Sequence, residues 1–394
     1  MDQEQVFRIM DLRGTYKGGG GPDKTILLSA AKHHKKAFFI LVTYLRDPND
    51  SEFQISEKAR KLNIAYTDIP DRSLFDLRSI FDLNRIIRTY RLNLIHAHDD
   101  KSSLYAFFLR LINPGIKVIY TCHSNFRYGI GHDKGMGVLS KGRIRLLIRF
   151  LLVLCSHKPI IAVSDAVKRT LIFHGISSKA VFTLHNGIET TAWQRKNGTP
   201  VLRRLFTEYP ETQIIGTVAR IAAEKDFATF FKVAERVKSI FPHVQFIVVG
   251  DGNGNELEDI KNMALKMDVA DFVHFTGHRN DLLDVYRSFD LFLMTSLTEG
   301  LPNTVLEAMA MELPVVSTAI DGVPEVVIHG ETGFLCPVRD VDCLSNHIIK
   351  LLKNKNLLRQ FGGNGRSRIL KHFDFDKRVK SMENIYKGVI LGRA

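Results

Sequence analysis

Short apolar runs alternate along this chain with longer stretches in which apolar residues recur every three or four positions. The first pattern suits strands buried on both faces, and the second suits helices that cover them. In the first half, FRIMDL (7–12), FFILVTY (38–44), IAYTDIP (64–70), NLIHAHDD (93–100), KVIYTCHSN (117–125), PIIAVSD (159–165) and AVFTLHNGIE (180–189) predict strands. Periodic segments lie between them: PDKTILLSAAKHH, which Pro22 opens, then SEKARKLN, LFDLRSIFDLNRIIRTYR, SSLYAFFLRLI and SKGRIRLLIRFLLVLCSHK. Such βα alternation predicts a parallel sheet. The pattern resumes with QIIGTVAR (213–220), QFIVVG (245–250), FVHFTGHR (272–279) and Leu291 to Met294, and closes on two helices and FDFDKRVKSMENIYKGVILG.

At 394 residues the chain exceeds what one hydrophobic core normally supports. Two domains are therefore expected, 1–190 and 200–375. The polar TAWQRKNGTP (191–200), which holds the only Trp, reads as their linker.

Composition adds that the chain is globular, with 45% hydrophobic and 25% charged residues. Cys122, Cys155, Cys336 and Cys343 are scattered without a CxxC pair, so neither a zinc knuckle nor a disulfide framework is indicated, and reduced thiols are expected. Acidic residues precede the first strand, which is no signal peptide, and the longest apolar run, LLIRFLLVLC, is broken by Arg149. A cytoplasmic protein is expected, free or peripheral on the inner face of the membrane. The net charge of +13 is uneven: residues 1–190 carry +12, of which 101–160 supply +9, and residues 191–394 carry +1. That asymmetry points to an anionic partner for the first half, nucleic acid or a membrane surface. The basic first part of SKGRIRLLIRFLLVLCSHK suits the membrane, while its apolar second part suits a helix covering the sheet.

Several loops carry candidate chemistry. Gly18 to Gly21 follow the first strand and let a ligand approach the backbone, although Asp23 sets a negative charge where a P-loop needs glycine. His96 and His98 share a strand face, with only Asp99 at hand as a third metal ligand, so a cleft or packing role outweighs a metal. His123 falls at a strand's carboxyl end, where functional residues of such sheets gather. Arg220 and Lys225 flank a short loop before a helix and suit a phosphate. Gly250, Gly252 and Gly254 approximate a dinucleotide fingerprint, but the following strand ends without the acid that would hold a ribose. His278 and Arg279 lie at that strand's end, within reach of a base.

The chain is organised around DLFLMTSLTEGLPNTVLEAMAMELPVVSTAIDGVPEVVIHGETG, residues 290–333. A strand ends at Met294, and Pro302 or Asn303 opens a helix that Pro314 stops. Glu299 lies in the loop and Glu307 one to two turns into the helix. A lone glutamate is ordinarily a solvated charge. Here the two flank a helix N-terminus, where free N–H groups suit phosphate and carboxylates suit sugar or ribose hydroxyls.

Taken in order, the glycine run, HAHDD, TCHSN, IAVSDAVK, HNGIE, Arg220 with Lys225, the GDG turn, GHRND, EGLPNTVLE and DGVPEVVIHGETGFL resemble glycosyltransferase family 4 over nearly the whole chain. The resemblance implies an α/β protein of the GT-B fold, two Rossmann-like domains facing a cleft, with the helix at 376–394 crossing back to the first. It implies a retaining transferase that moves a sugar from a nucleoside-diphosphate sugar, UDP- or GDP-linked, to a saccharide or lipid-linked acceptor in cell-envelope polysaccharide or lipopolysaccharide synthesis. Arg220 and Lys225 would neutralise the diphosphate, Glu299 would hold the transferred sugar, and Glu307 the ribose. The backbone of Gly300, Leu301, Pro302, Asn303 and Thr304 would assist. Gly250 and Gly252 would line the donor, His278 and Arg279 would border the base, Gly19 and Gly20 would approach the diphosphate, and His123 would face the reacting sugar. No cofactor or metal is expected, because two cations and a helix end already serve the diphosphate. The chain departs from the family pattern in lacking a Glu after the glycine run and in placing Asp226 where glycine usually follows the lysine. A sugar-nucleotide epimerase of similar fold would use the same ligands. A nucleic-acid-binding protein would account for the charge but not for the second-half motifs.

Overall fold

The computed structural model describes residues 6–15, 17–73, 75–124, 159–207, 211–252 and 254–393. The chain forms two compact units, residues 1–186 with 376–394 and residues 187–375. Each is an α/β unit on a parallel sheet.

The first sheet contains β1 (Phe7–Gly14), β2 (Phe38–Arg46), β3 (Ala65–Pro70), β4 (Leu94–Ala97), β5 (Lys117–Cys122), β6 (Ile160–Ala162) and β7 (Val181–Thr183), in the order β3-β2-β1-β4-β5-β6-β7. Between the strands run α1 (Gly21–Lys32), α2 (Ile55–Lys61), α3 (Leu77–Thr89), α4 (Asp100–Ile112) and α5 (Asp165–Phe173). Side chains alternate across the sheet. Ile9, Val42, Leu94 and Ile119 enter one core, and Met10, Leu12, Leu41 and Ile95 the other. The C-terminal helix (Phe375–Ile390) adds Met382, Tyr386 and Val389 to the first of these cores. Towards the carboxyl ends of the strands this face turns polar, with Asp11 in register with His96 and Thr121 close by, all buried.

The expected strand at 180–189 stops at Thr183. Beyond Asn186 the chain leaves the sheet, and Ile188 exchanges backbone hydrogen bonds with Phe373 and Phe375. Gly187 permits this approach, since a Cβ there would lie 2.9 Å from the Phe375 Cα. The basic helix expected at 140–158 lies outside the described residues.

The second unit begins with residues that pack on it rather than bridge away from it: the Arg195 guanidinium donates to the carbonyls of Phe289 and Met311, and Trp193 meets the edge of Tyr286. Its sheet runs β10-β9-β8-β11-β12-β13, from β8 (Ile214–Val218), β9 (Gln245–Val249), β10 (Val273–Phe275), β11 (Leu291–Met294), β12 (Val315–Thr318) and β13 (Gly333–Cys336). The helices are α6 (Val201–Phe206), α7 (Phe227–Lys238), α8 (Glu256–Lys266), α9 (Leu282–Ser288), α10 (Asn303–Ala310), α11 (Val323–Val326), α12 (Val341–Lys353) and α13 (Lys355–His372). β11 is buried along its whole length, which is why it reads as an unbroken apolar run.

One expectation is overturned. Cys336 and Cys343 form a disulfide, with Cα atoms 5.8 Å apart. Cys336 closes β13 and Cys343 lies in the first turn of α12, so the strand-to-helix turn brings together two thiols that their spacing in sequence left apart.

Candidate active site

In the second unit the strand order reverses between β8 and β11, the kind of point at which ligands of such sheets bind. The loops leaving the two strands run side by side. They are laced together by main-chain acceptors. Thr295 Oγ1 donates to the Lys225 carbonyl at 2.9 Å, and Leu297 N to the Glu224 carbonyl at 2.8 Å. Across this seam Lys225 Nζ lies 2.6 Å from Glu299 Oε1, which also accepts from Ser296 Oγ at 2.8 Å. Arg220 lies further out, over half exposed, and its guanidinium reaches Glu224 at 2.6 Å. Two cations and two carboxylates are therefore gathered where the strands end.

Asp226 follows Lys225 with φ at +50°, a left-handed conformation that glycine adopts at no steric cost. Asp is one of the few other residues that tolerate it, and its carboxylate caps α7 by accepting from the Thr229 N–H, with a second bond from Thr229 Oγ1 at 2.7 Å. The departure at this position thus keeps the turn and adds a cap.

Glu299 is fixed through its backbone as well. Its N–H donates to Asp321 Oδ2 at 2.8 Å, and Thr298 Oγ1 donates to the same oxygen at 2.7 Å. Thr318 Oγ1 holds the Ser296 carbonyl at 2.6 Å. Pro302 precedes α10 and supplies no side-chain cap. Gly300, Leu301 and Pro302 are buried, while Asn303 and Thr304 are half-buried. Glu307 is 2% exposed and accepts from Tyr286 Oη at 2.8 Å. Burial, reinforced by the Glu307 charge, pushes the Tyr286 phenol well up, so it remains a donor.

The glycines of the GDG turn answer first to packing. A Cβ on Gly250 would fall 1.8 Å from the Ala219 carbonyl oxygen, and one on Gly252 would fall 2.7 Å from the Glu256 Cβ. After β10, His278 Nε2 lies 3.3 Å from Asn280 Oδ1, and Arg279 pairs with Asp281 through Nε at 2.8 Å.

In the first unit, Gly19 has φ at +72° and Gly20 N donates to Asp23 Oδ2 at 2.7 Å. Asp23 is buried and held by Arg13 Nε and Tyr44 Oη, both at 2.8 Å. Its charge is thus met within the loop instead of standing in a phosphate cradle, because Arg13, two residues along β1 from Asp11, turns towards it. His96 and His98 do share a face, but the carboxylate they meet is Asp11, at 3.1 and 3.2 Å, and not Asp99. Asp99 instead caps α4 and accepts from Gly14 N. His98 Nδ1 in turn lies 3.1 Å from His123 Nε2.

Two family profiles match in tandem: "Glycosyltransferase Family 4" over residues 25–192 and "Glycosyl transferases group 1" over 201–368. The chain belongs to the family-4 type of glycosyltransferases. This glycosyltransferase is 25% identical to the N-acetyl-alpha-D-glucosaminyl L-malate synthase of Bacillus anthracis, covering 80% of each chain. It is 24% identical to the capsular polysaccharide biosynthesis glycosyltransferase CapM of Staphylococcus aureus, covering 88% of this chain and 92% of CapM. Its fold matches HepE of Anabaena, solved in complex with UDP-glucose, with a TM-score of 0.81, 19% identity and coverage of 97% and 99%. That likeness establishes the GT-B architecture of two Rossmann-like domains. Among the described residues no helix is long and apolar enough to cross a membrane.

Asp321, Ser296, Tyr286 and Asp11 escaped the sequence reading as site residues. Asp321 lies in the DGVPE segment that carries the family resemblance, which is the one signal that pointed to it. Asp11 and Tyr286 meet partners that lie far off in sequence, His96 with His98 and Glu307, and Ser296 is a common loop residue three positions before Glu299, so no spacing announces them.

Proposed function

We propose that this glycosyltransferase moves a sugar from a UDP- or GDP-linked donor to a saccharide or lipid-linked acceptor of the cell envelope, with retention of anomeric configuration. The observation that carries the reading is the meeting of Lys225 and Glu299, from different loops, at the β8/β11 switch. In this reading Lys225 and Arg220 transfer their charge from Glu299 and Glu224 to the donor diphosphate. That charge grows as the glycosidic bond breaks, so fixed cations stabilise the departing group more than the bound donor. Glu299, released from Lys225, accepts from hydroxyls of the transferred sugar. Glu307, kept oriented by Tyr286, accepts from the ribose, and the N-terminus of α10 assists the phosphates. His278 and Arg279 border the base, Gly19, Gly20, Gly250 and Gly252 give the backbone close approach to the donor, and His123 faces a saccharide hydroxyl. The leaving diphosphate takes the acceptor proton on the same face, which leaves the anomeric configuration unchanged. The reaction needs no cofactor or metal.

The UDP-glucose bound to HepE and the capsule role in CapM's name support the donor and envelope classes. The acceptor class rests on the basic first half, which suits a phosphorylated or lipid-linked saccharide at the cytoplasmic face of a membrane. The test is a panel of UDP- and GDP-sugars with envelope saccharides, read by nucleotide release and by proton NMR of the product. Acceptor-dependent release with an axial product from an axial donor supports the proposal. Release that never depends on acceptor, or an inverted product, overturns it.

A further inference from the structure

The polar patch on the first sheet forms a directed chain. Asp11 is 2% exposed and its Oδ1 lies 3.2 Å from His98 Nε2. Although burial alone would raise it, the hydrogen bonds from His96 and His98 draw its pKa below the ordinary carboxylate range, so it is a charged acceptor. His98 is pushed down to about 3 by burial, with His96 nearby adding to the effect, so it carries one proton on one nitrogen. An ionised carboxylate can only accept, which puts that proton on Nε2 and leaves His98 Nδ1 as a lone pair. Its neighbour at 3.1 Å is His123 Nε2, which must then be the donor. The proton of His123 is thereby assigned to Nε2. Its Nδ1 is a bare acceptor, withdrawn from solvent and without a partner in the described structure. Burial, followed by the neighbouring His98 ring and the charges of Arg13 and Arg378, holds His123 well below the usual histidine range, so the ring stays neutral.

We propose that Asp11 and His98 are positioning residues that lock His123 in the Nε2–H tautomer, so that its Nδ1 accepts a hydrogen bond from a hydroxyl of a bound saccharide. The inference rests on the transferase reading for the nature of the ligand, but not for the tautomer. A buried acceptor left empty costs free energy, which a sugar O–H repays when it binds, whereas the opposite tautomer would set N–H against a hydroxyl that must then turn round. The chain acts as other carboxylate–imidazole pairs do, by fixing a tautomer and an orientation without transferring its own charge.

The experiment is a long-range proton–nitrogen correlation spectrum of the full-length 15N-labelled protein at neutral pH, with His123 assigned by the signal lost in His123→Phe. The expected result is a single neutral ring protonated at Nε2, with an unprotonated Nδ1. An Nδ1–H ring, a tautomeric average or an imidazolium overturns the proposal, and this wild-type spectrum needs no variant to fold. His98→Leu should convert His123 to an average of tautomers and lower kcat about 10–100-fold while the KM for the donor that sustains transfer changes less than about 3-fold. An unchanged His123 spectrum in that variant also overturns it. If the wild-type tautomer is as stated but no sugar of the panel is transferred, the transferase reading fails and the tautomer lock stands. If transfer proceeds with the other tautomer, the lock alone fails.

Discussion

Lys225 and Glu299, 74 residues apart in sequence, form a 2.6 Å ion pair where the loops after β8 and β11 run side by side. The same ammonium cannot neutralise Glu299 and a diphosphate equally. Replacing Glu299 by Gln removes its competitor. If Glu299 holds the sugar as proposed, the nucleoside diphosphate of the preferred donor should then bind at least as tightly as to wild type, while sugar transfer falls about 10²-fold with the loss of that charged acceptor. Isothermal titration and initial rates read the two separately, and a marked loss of affinity for that nucleoside diphosphate would contradict this role of Glu299.

Asp226 holds a left-handed turn and caps α7 at once. Asp226→Ala should lower stability by about 1–2 kcal/mol, since it forfeits the cap and strains the backbone, whereas Asp226→Gly should cost only a few tenths. Urea unfolding of the two variants checks the order. Equal losses would mean that the conformation is not what matters at this position.

The Cys336–Cys343 disulfide closes a short loop between β13 and α12. Opening it with a reductant should cost about 2–3 kcal/mol. The melting temperature of the oxidised protein should therefore drop on addition of dithiothreitol, and thiol titration of the denatured, unreduced chain should find two of its four cysteines blocked. Four reactive thiols would refute the pairing.

The +9 charge of residues 101–160 predicts binding to vesicles containing anionic lipid at low ionic strength, weakening as salt is raised. Flotation with neutral vesicles as the control measures it. Absence of any preference removes the membrane from the proposal.

Much of the framework can be read from the chain because both sheets are parallel and buried on both faces. β11 and α10 stand out in LFLM and in the periodic segment that Pro302 opens, and Glu299 and Glu307 follow from their places on these elements. What could not be read is lateral contact. Asp11 is an isolated acid in an apolar strand until β4 is laid beside β1 in register and the C-terminal helix is added, whereupon it meets two histidines and Tyr386. The disulfide was illegible for a related reason, since the turn geometry after β13 decides whether two thiols meet. Asp321 was visible only as part of a motif, because its work is done by accepting from a backbone N–H that sequence cannot display. At Gly250 the sequence cannot separate two reasons for a glycine, since the approach of Ala219 already demands one there.

In the proposed reaction Lys225 carries the donor diphosphate. The most direct measurement is the initial rate of sugar transfer from the preferred nucleotide sugar by wild type and by Lys225→Ala, with the melting temperature of each as the control for folding. The expected rate is lower by about 10²–10³-fold with the melting temperature nearly unchanged. Transfer near the wild-type rate by the folded variant would contradict it.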